Sequence, residues 1–248
     1  MGLSRRTLLA LPLAFAAGGP ALAAPGPCER IRFEEASYTV CRLDLARYRL
    51  GLFRAGPDGT PYGSLGRFLG SPEGRGAAVA MNAGMYHPDL APVGLYVEKG
   101  RQEIPANTAN GPGNFHLKPN GVFFVAGERA GILETRAYLR RAPRAEIATQ
   151  SGPLLVFGGR FHPRISGEGP SRKLRNGVGV TDGGRTVVFA ITEEPVSFGA
   201  FARLFRDGLD CPDALFLDGS VSVLSAPGSA SSGLGFKPIG PILAAFPR

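Results

Sequence analysis

Ala214-Leu215-Phe216-Leu217-Asp218-Gly219-Ser220-Val221-Ser222-Val223-Leu224 sets an aspartate in the middle of an apolar run. The residues leading into Asp218 read as a buried strand, and Gly219 as the start of a turn. Burying an unpaired carboxylate is very costly, so Asp218 must be paired, hydrogen-bonded or protonated. Either it caps the turn through its own backbone or it works in a site. Upstream, Thr186 to Thr192 reads as a strongly β-branched strand. Ser197 is placed to cap a helix running to about Gly208, because Phe198, Phe201, Ala202, Phe205 and Leu209 recur at helical spacing. Strand, helix, strand is the order of a crossover, with the second strand in the same sheet. Asp218 then stands at the carboxyl end of its strand, where open sheets present ligand sites.

Working outward, most of the chain is short strands. Tyr38 to Leu43 and Arg47 to Phe53 alternate apolar with polar residues and predict a hairpin with one buried face. Ala77 to Met81, Val93 to Glu98, Val122 to Val125, Leu154 to Phe157 and Pro238 to Phe246 are further strands. Arg140 to Arg144 reads as a solvated connection, and Gln102 to Asn114 as a long polar loop of the kind that usually has a function. Arg175-Asn176-Gly177-Val178-Gly179-Val180 is extended and lacks the third glycine and following helix of a dinucleotide fingerprint. The expected fold is α+β: one domain with a mixed, largely antiparallel sheet flanked by a few helices.

The first 23 residues read as an export signal rather than as fold. Ser4-Arg5-Arg6-Thr7-Leu8-Leu9, a short apolar stretch and Ala21-Leu22-Ala23 match a twin-arginine signal peptide over 1–23, leaving a domain of 24–248. An ordinary secretory signal is the other reading, and either implies a periplasmic or secreted bacterial protein. The apolar core is too short for a transmembrane span. Formal net charge is +8, with arginines spread along the chain, which argues against nucleic acid and is compatible with an anionic substrate. Cys28, Cys41 and Cys211 lack metal-type spacing. In an oxidising compartment the expectation is a Cys28–Cys41 pair stapling the mature N-terminus, with Cys211 a buried thiol.

Four polar knots break apolar strands beside glycines: Asn82 with Gly84, Gln150 with Ser151, Arg175 with Asn176, and Asp218 with Ser220. Each alone is more often a satisfied turn than a site, and four such knots are easier to explain if they converge on one cleft, a convergence that sequence does not show. His87, His116 and His162 stand alone, so a histidine-ligated zinc is not expected. No G-x-S-x-G elbow is present. Arg175 suits a phosphate clamp, since its planar fork matches phosphate oxygens; a structural ion pair is its other reading.

Met81-Asn82-Ala83-Gly84-Met85-Tyr86, Pro92-Val93-Gly94-Leu95, Gly113-Asn114-Phe115, Lys118-Pro119-Asn120-Gly121-Val122-Phe123, Ala148-Thr149-Gln150-Ser151-Gly152-Pro153, Arg175-Asn176-Gly177-Val178-Gly179 and Leu217-Asp218-Gly219-Ser220 occur in one order. That order resembles bacterial members of the phosphodiester glycosidase family, the family of the lysosomal uncovering enzyme that removes N-acetylglucosamine from a phosphodiester. The resemblance runs from about Tyr38 to the C-terminus. The family's Asp-Gly-Gly-x-Ser element looks like Asp218-Gly219-Ser220-Val221-Ser222, with Ser220 in place of the second glycine.

The resemblance implies an exported hydrolase that cleaves a sugar from a sugar-1-phosphodiester. Asp218, Arg175 and Asn82 would be catalytic. Gly84, Tyr86, Asn114, Lys118, Asn120, Gln150, Ser151, Asn176, Gly219 and Ser220 would bind a phosphorylated or phosphodiester-linked glycan. No cofactor or metal is expected. Glycoside cleavage ordinarily needs two carboxylates; Glu193 and Glu194 are the candidates for a second, with a solvated loop as their other reading. A catalytically silent periplasmic glycan-binding protein is the alternative function. A metal-dependent phosphodiesterase would need clustered carboxylates or histidines that the sequence does not display.

Overall fold

A computed structural model describes residues 26–165, 167, 169–219, 221–227 and 237–248. The signal-peptide expectation over 1–23 and Ser220 lie outside these described residues. In chain order, β1 (Cys28–Phe33) and β2 (Ala36–Asp44) are followed by β3 (Tyr48–Phe53), the short helix α1 (Leu65–Gly70) and β4 (Val79–Asn82). Next come β5 (Tyr96–Glu98), β6 (Arg101–Ile104), β7 (Gly121–Ala126), β8 (Arg129–Glu134) and α2 (Thr135–Arg141). β9 (Ile147–Ser151), β10 (Leu154–Phe157), β11 (Arg160–Phe161), β12 (Asn176–Thr181) and β13 (Thr186–Thr192) lead to α3 (Phe198–Arg203). β14 (Asp213–Asp218), β15 (Leu224–Ser225) and β16 (Ile242–Pro247) complete the order.

The α+β expectation holds, with the strands divided among three sheets. They are ordered β1-β2-β13-β12-β14-β10-β11, β15-β4-β16-β3 and β6-β5-β9-β7-β8, and all the strand pairs described are antiparallel. β12 lies between β13 and β14 and is antiparallel to both, so β13 and β14 run parallel, as the strand–helix–strand order predicts. Ser197 caps α3, its hydroxyl accepting from Ala200 N–H at 3.0 Å. The helix continues as a wider turn over Leu204–Gly208. The expected hairpin of β2 with β3 does not form. β2 pairs with β1 and β13, whereas β3 pairs with β16 in another sheet. Alternation reports which face is buried, not which strand lies alongside. Arg140 and Arg141 end α2 rather than lying in a connection.

One face of each sheet meets in a central core that includes Leu43, Leu52, Met81, Tyr96, Phe123, Val178, Phe189, Leu215 and Leu217. The other face of the seven-stranded sheet is roofed by α3 and the wider turn that continues it, where Phe201 and Phe205 cluster with Val40, Val188, Ala214 and Phe216. The alternation along β14 is therefore clean: Leu215 and Leu217 enter the central core, and Ala214 and Phe216 go under the helix. Each fully buried aromatic or leucine contributes about 1.5–3 kcal/mol. The glycines of β12 make this roof possible. A Cβ on Gly179 would lie 2.7 Å from Cys211 Sγ and from the Phe205 ring, and one on Gly177 would lie 3.1 Å from both Phe201 and Phe205. They serve close packing of helix on sheet rather than approach of a ligand.

Cys28 and Cys41 face each other across β1 and β2 and form a disulfide. Cys211 is a buried free thiol, and burial pushes it up to about 12. None of the helices described is long and apolar enough to cross a membrane.

Candidate active site

The carboxyl ends of β13 and β14 and the start of β12 lie at one end of the seven-stranded sheet, with Asn176 opposite both Ile191 and Asp218. Asp218 is the last residue of β14 and is 9 % exposed. Its Oδ1 accepts from Gly219 N–H at 2.6 Å. Arg175 immediately precedes β12 and is 1 % exposed. Its backbone is tied to Thr192, whose Oγ1 accepts from Arg175 N–H at 2.9 Å. The guanidinium lies 3.6 Å from the Phe198 ring centroid and 5.5 Å from that of Phe216. Its Nε donates to Val196 O at 2.9 Å and its Nη2 to Ser171 O at 2.8 Å. Nη1 has no partner among the described residues. Burial lowers the Arg175 guanidinium to about 10, so it remains charged at neutral pH.

Both side chains line an open cleft of about 640 Å³ with Met85, Tyr86, Val93, Asn114, Ser171, Lys173, Gly219 and Lys237. Tyr86 arrives on the segment after β4, and its hydroxyl donates to Pro238 O at 3.0 Å. Burial, aided by the nearby Asp218 charge, pushes this hydroxyl up to about 12, so it stays protonated. Asn114 opens a 3₁₀ turn with Phe115 and His116. The cleft thus brings together the sequence candidates Asp218, Arg175, Tyr86, Asn114 and Gly219.

The remaining described candidates do not line the cleft, and those with polar side chains hydrogen-bond within the protein. Asn82 is fully buried: its Nδ2 donates to Val221 O at 2.6 Å, and its Oδ1 accepts from Val223 N–H at 2.9 Å. Asn176 Nδ2 donates to Asn82 O at 2.7 Å and to Asn82 Oδ1 at 3.0 Å. Asn176 Oδ1 in turn accepts from Asp218 N–H at 2.9 Å. Ser151 Oγ donates to Leu217 O at 2.7 Å, and Ser222 Oγ to Asp218 O at 3.2 Å. These bonds clamp the chain on both sides of Asp218. Gln150 fastens the long loop instead. Its Oε1 accepts from Leu95 N–H and Asn107 N–H at 2.9 and 2.8 Å, and its Nε2 donates to Asn107 O at 2.8 Å and Thr135 Oγ1 at 3.1 Å. Asn120 Oδ1 accepts from that same Thr135 hydroxyl at 2.8 Å. Lys118 Nζ donates to Thr108 O and Asn110 Oδ1. A Cβ on Gly84 would lie 2.5 Å from Gln150 O, so this glycine admits β9 rather than a ligand.

Glu193 and Glu194 are held at the neighbouring strand. Glu193 pairs with Arg30 and accepts from Thr39, while Glu194 accepts from Ser37 N–H at 2.8 Å. Neither lines the cleft. Sequence reasoning missed Ser171, Lys173 and Lys237. Lys173 precedes Arg175 by two positions in an extended segment, a spacing that puts both on one side of the backbone; Lys237 has no such signal. Among the described residues, no three His, Cys, Asp or Glu side chains gather as a metal-holding group.

A family model described as phosphodiester glycosidase matches residues 75–226. The uncharacterized protein YigE of Escherichia coli (strain K12) is 36% identical over 183 residues, covering 73% of this chain and 71% of YigE. Among solved structures, the catalytic domain of zebrafish N-acetylglucosamine-1-phosphodiester alpha-N-acetylglucosaminidase, auto-inhibited by its pro-peptide, superposes with a TM-score of 0.60. It is 14% identical, and the match covers 89% of this chain and 82% of that one. A hypothetical protein from Synechocystis superposes with a TM-score of 0.58 at 13% identity, covering 89% of this chain and 61% of that one. At such identities these two likenesses concern the fold.

Proposed function

Because the chain belongs to the phosphodiester glycosidase family, we propose that its cleft binds a sugar-1-phosphodiester and hydrolyses the bond between the sugar and the phosphate. The observation that carries this reading is the meeting of Asp218 and Arg175 in one cleft, each delivered by a strand end of the same sheet. Arg175 seats the phosphate through Nη1, while Val196 O, Ser171 O and the Phe198 ring hold its fork in place. Asp218 acts at the anomeric carbon. The C1–O bond to phosphate breaks, its electron pair leaves with the phosphate, and the elements of water end on the free sugar and the phosphomonoester. A phosphate is a far better leaving group than an alcohol, which accounts for a cleft whose only carboxylate among the described residues is Asp218. Tyr86 and Asn114 face the same space as hydrogen-bonding groups for the glycan. The Cys28–Cys41 disulfide and the signal-like 1–23 segment support work outside the cytoplasm.

The test is a panel of α- and β-linked sugar-1-phosphodiesters, assayed for free sugar with the wild type and Asp218→Asn. Wild type is expected to release sugar, and Asp218→Asn to lose that activity by at least about 100-fold. Retained activity in the variant removes Asp218 from the chemistry. Binding without release by the wild type replaces the enzyme reading with the glycan-binding one. The anomeric configuration of the released sugar assigns Asp218 its role: retention for a nucleophile, inversion for a base that activates water.

A further inference from the structure

The cleft carries more positive charge than one phosphodiester balances. Its charged lining residues are Lys173, Arg175 and Lys237 on one side of the account and Asp218 on the other. Arg175 is buried, stacked and held by two carbonyls, and in the proposed reading it takes the phosphodiester. The lysines differ from it. Both are exposed, and neither ammonium pairs with a carboxylate among the described residues. They also reach the cleft from different parts of the chain. Lys173 lies in the extended segment that leads to Arg175 and bridges Val196. Lys237 precedes Pro238, whose carbonyl accepts the Tyr86 hydroxyl, so it belongs to the wall that Tyr86 forms. Like charges facing one cleft repel one another and concentrate anions there. A phosphodiester brings a single negative charge, which Arg175 alone offsets.

We propose that the natural ligand is a polyanion: a sugar-1-phosphodiester with a second anionic group, phosphate or carboxylate, placed against Lys173 and Lys237. This rests on the proposed reading of the cleft as a phosphodiester site and adds the charge of its substrate. A glycan bearing acidic groups at successive units fits this requirement, and a neutral glycan carrying one phosphodiester does not.

Small anions test the idea without knowledge of the sugar. Purified protein is titrated calorimetrically at low ionic strength with inorganic phosphate, pyrophosphate and phosphonoacetate. The proteins are the wild type, Lys173→Gln, Lys237→Gln and the double variant. Wild type is expected to bind pyrophosphate about tenfold more tightly than phosphate, and the double variant to lose most of that advantage. Raising salt to physiological strength shrinks the advantage in the wild type, since exposed charges are screened over about 8 Å. An advantage for phosphonoacetate as well supports a second group of either chemistry; an advantage for pyrophosphate alone supports a second phosphate. An equal affinity for phosphate and pyrophosphate in the wild type overturns the proposal. So does a pyrophosphate advantage that survives in the double variant. Failure of the glycosidase reading looks different: no free sugar from the substrate panel, whatever the anion affinities.

Discussion

Arg175 is a cation taken almost wholly out of water, and its cost is met by contacts that only a guanidinium makes. A planar fork can lie over Phe198 while its Nε and Nη2 donate to Val196 O and Ser171 O. An ammonium of similar reach has neither the plane nor the fork. Arg175→Lys is therefore expected to lower kcat/KM on a sugar-1-phosphodiester by about 100-fold or more, the scale of losing one aimed donor to a reacting group. Steady-state kinetics beside a thermal melt check it, since a folded variant with full activity would remove Arg175 from the site. Sequence reasoning found Arg175 because an arginine beside a glycine-bearing strand is conspicuous. It had no means of finding the stack, because Phe198 and Phe216 are remote in the chain: the packing of α3 on the sheet brings the first to Arg175, and the pairing of β14 with β12 brings the second.

At the scale of elements, the site depends on how β14 is tied to its neighbours. Asn82 ends β4 in the four-stranded sheet, and Asn176 begins β12 in the seven-stranded one. Their amides join the two sheets and hold Asp218, Val221 and Val223 by their backbones. Asn176→Ala strips partners from Asp218 N–H and from the Asn82 carbonyl, all in a buried setting. The expected cost is about 2–3 kcal/mol, measured by urea unfolding, because a buried polar group left unmatched keeps its full desolvation penalty. A stability within about 0.5 kcal/mol of wild type would mean that water or a local shift replaces the clamp. The strand–helix–strand order around Asp218 was legible in the sequence, since β-branched runs and helical spacing are local signals. The separation of β2 from β3 into different sheets was not, because a strand's partner is chosen by the whole set of apolar faces that must be covered at once.

Across the whole molecule, the disulfide and the site occupy different parts of one sheet. Cys28–Cys41 ties the edge strand β1 to β2, and β13 stands between β2 and β12. Replacing both cysteines by alanine is expected to lower unfolding stability by about 3 kcal/mol at most, the value for closing a short loop. Sugar release by the folded variant should stay within about twofold of wild type. Urea unfolding and the substrate panel check the two parts, and a large loss of activity in the folded variant would show that the edge strand supports the cleft after all. By itself the sequence determined the α+β class, the strand–helix–strand order from β13 to β14 and the strand-end position of Asp218. Each of these follows from spacing, composition or near neighbours. Only the tertiary structure decided which polar residues face the cleft. An asparagine or glutamine beside a glycine at a strand end reads the same whether its amide meets a ligand or a backbone carbonyl. Asn82, Asn120, Gln150 and Asn176 are spent on the fold, whereas Lys173 and Lys237 turn to the open space, because long-range packing sets where each strand end comes to rest.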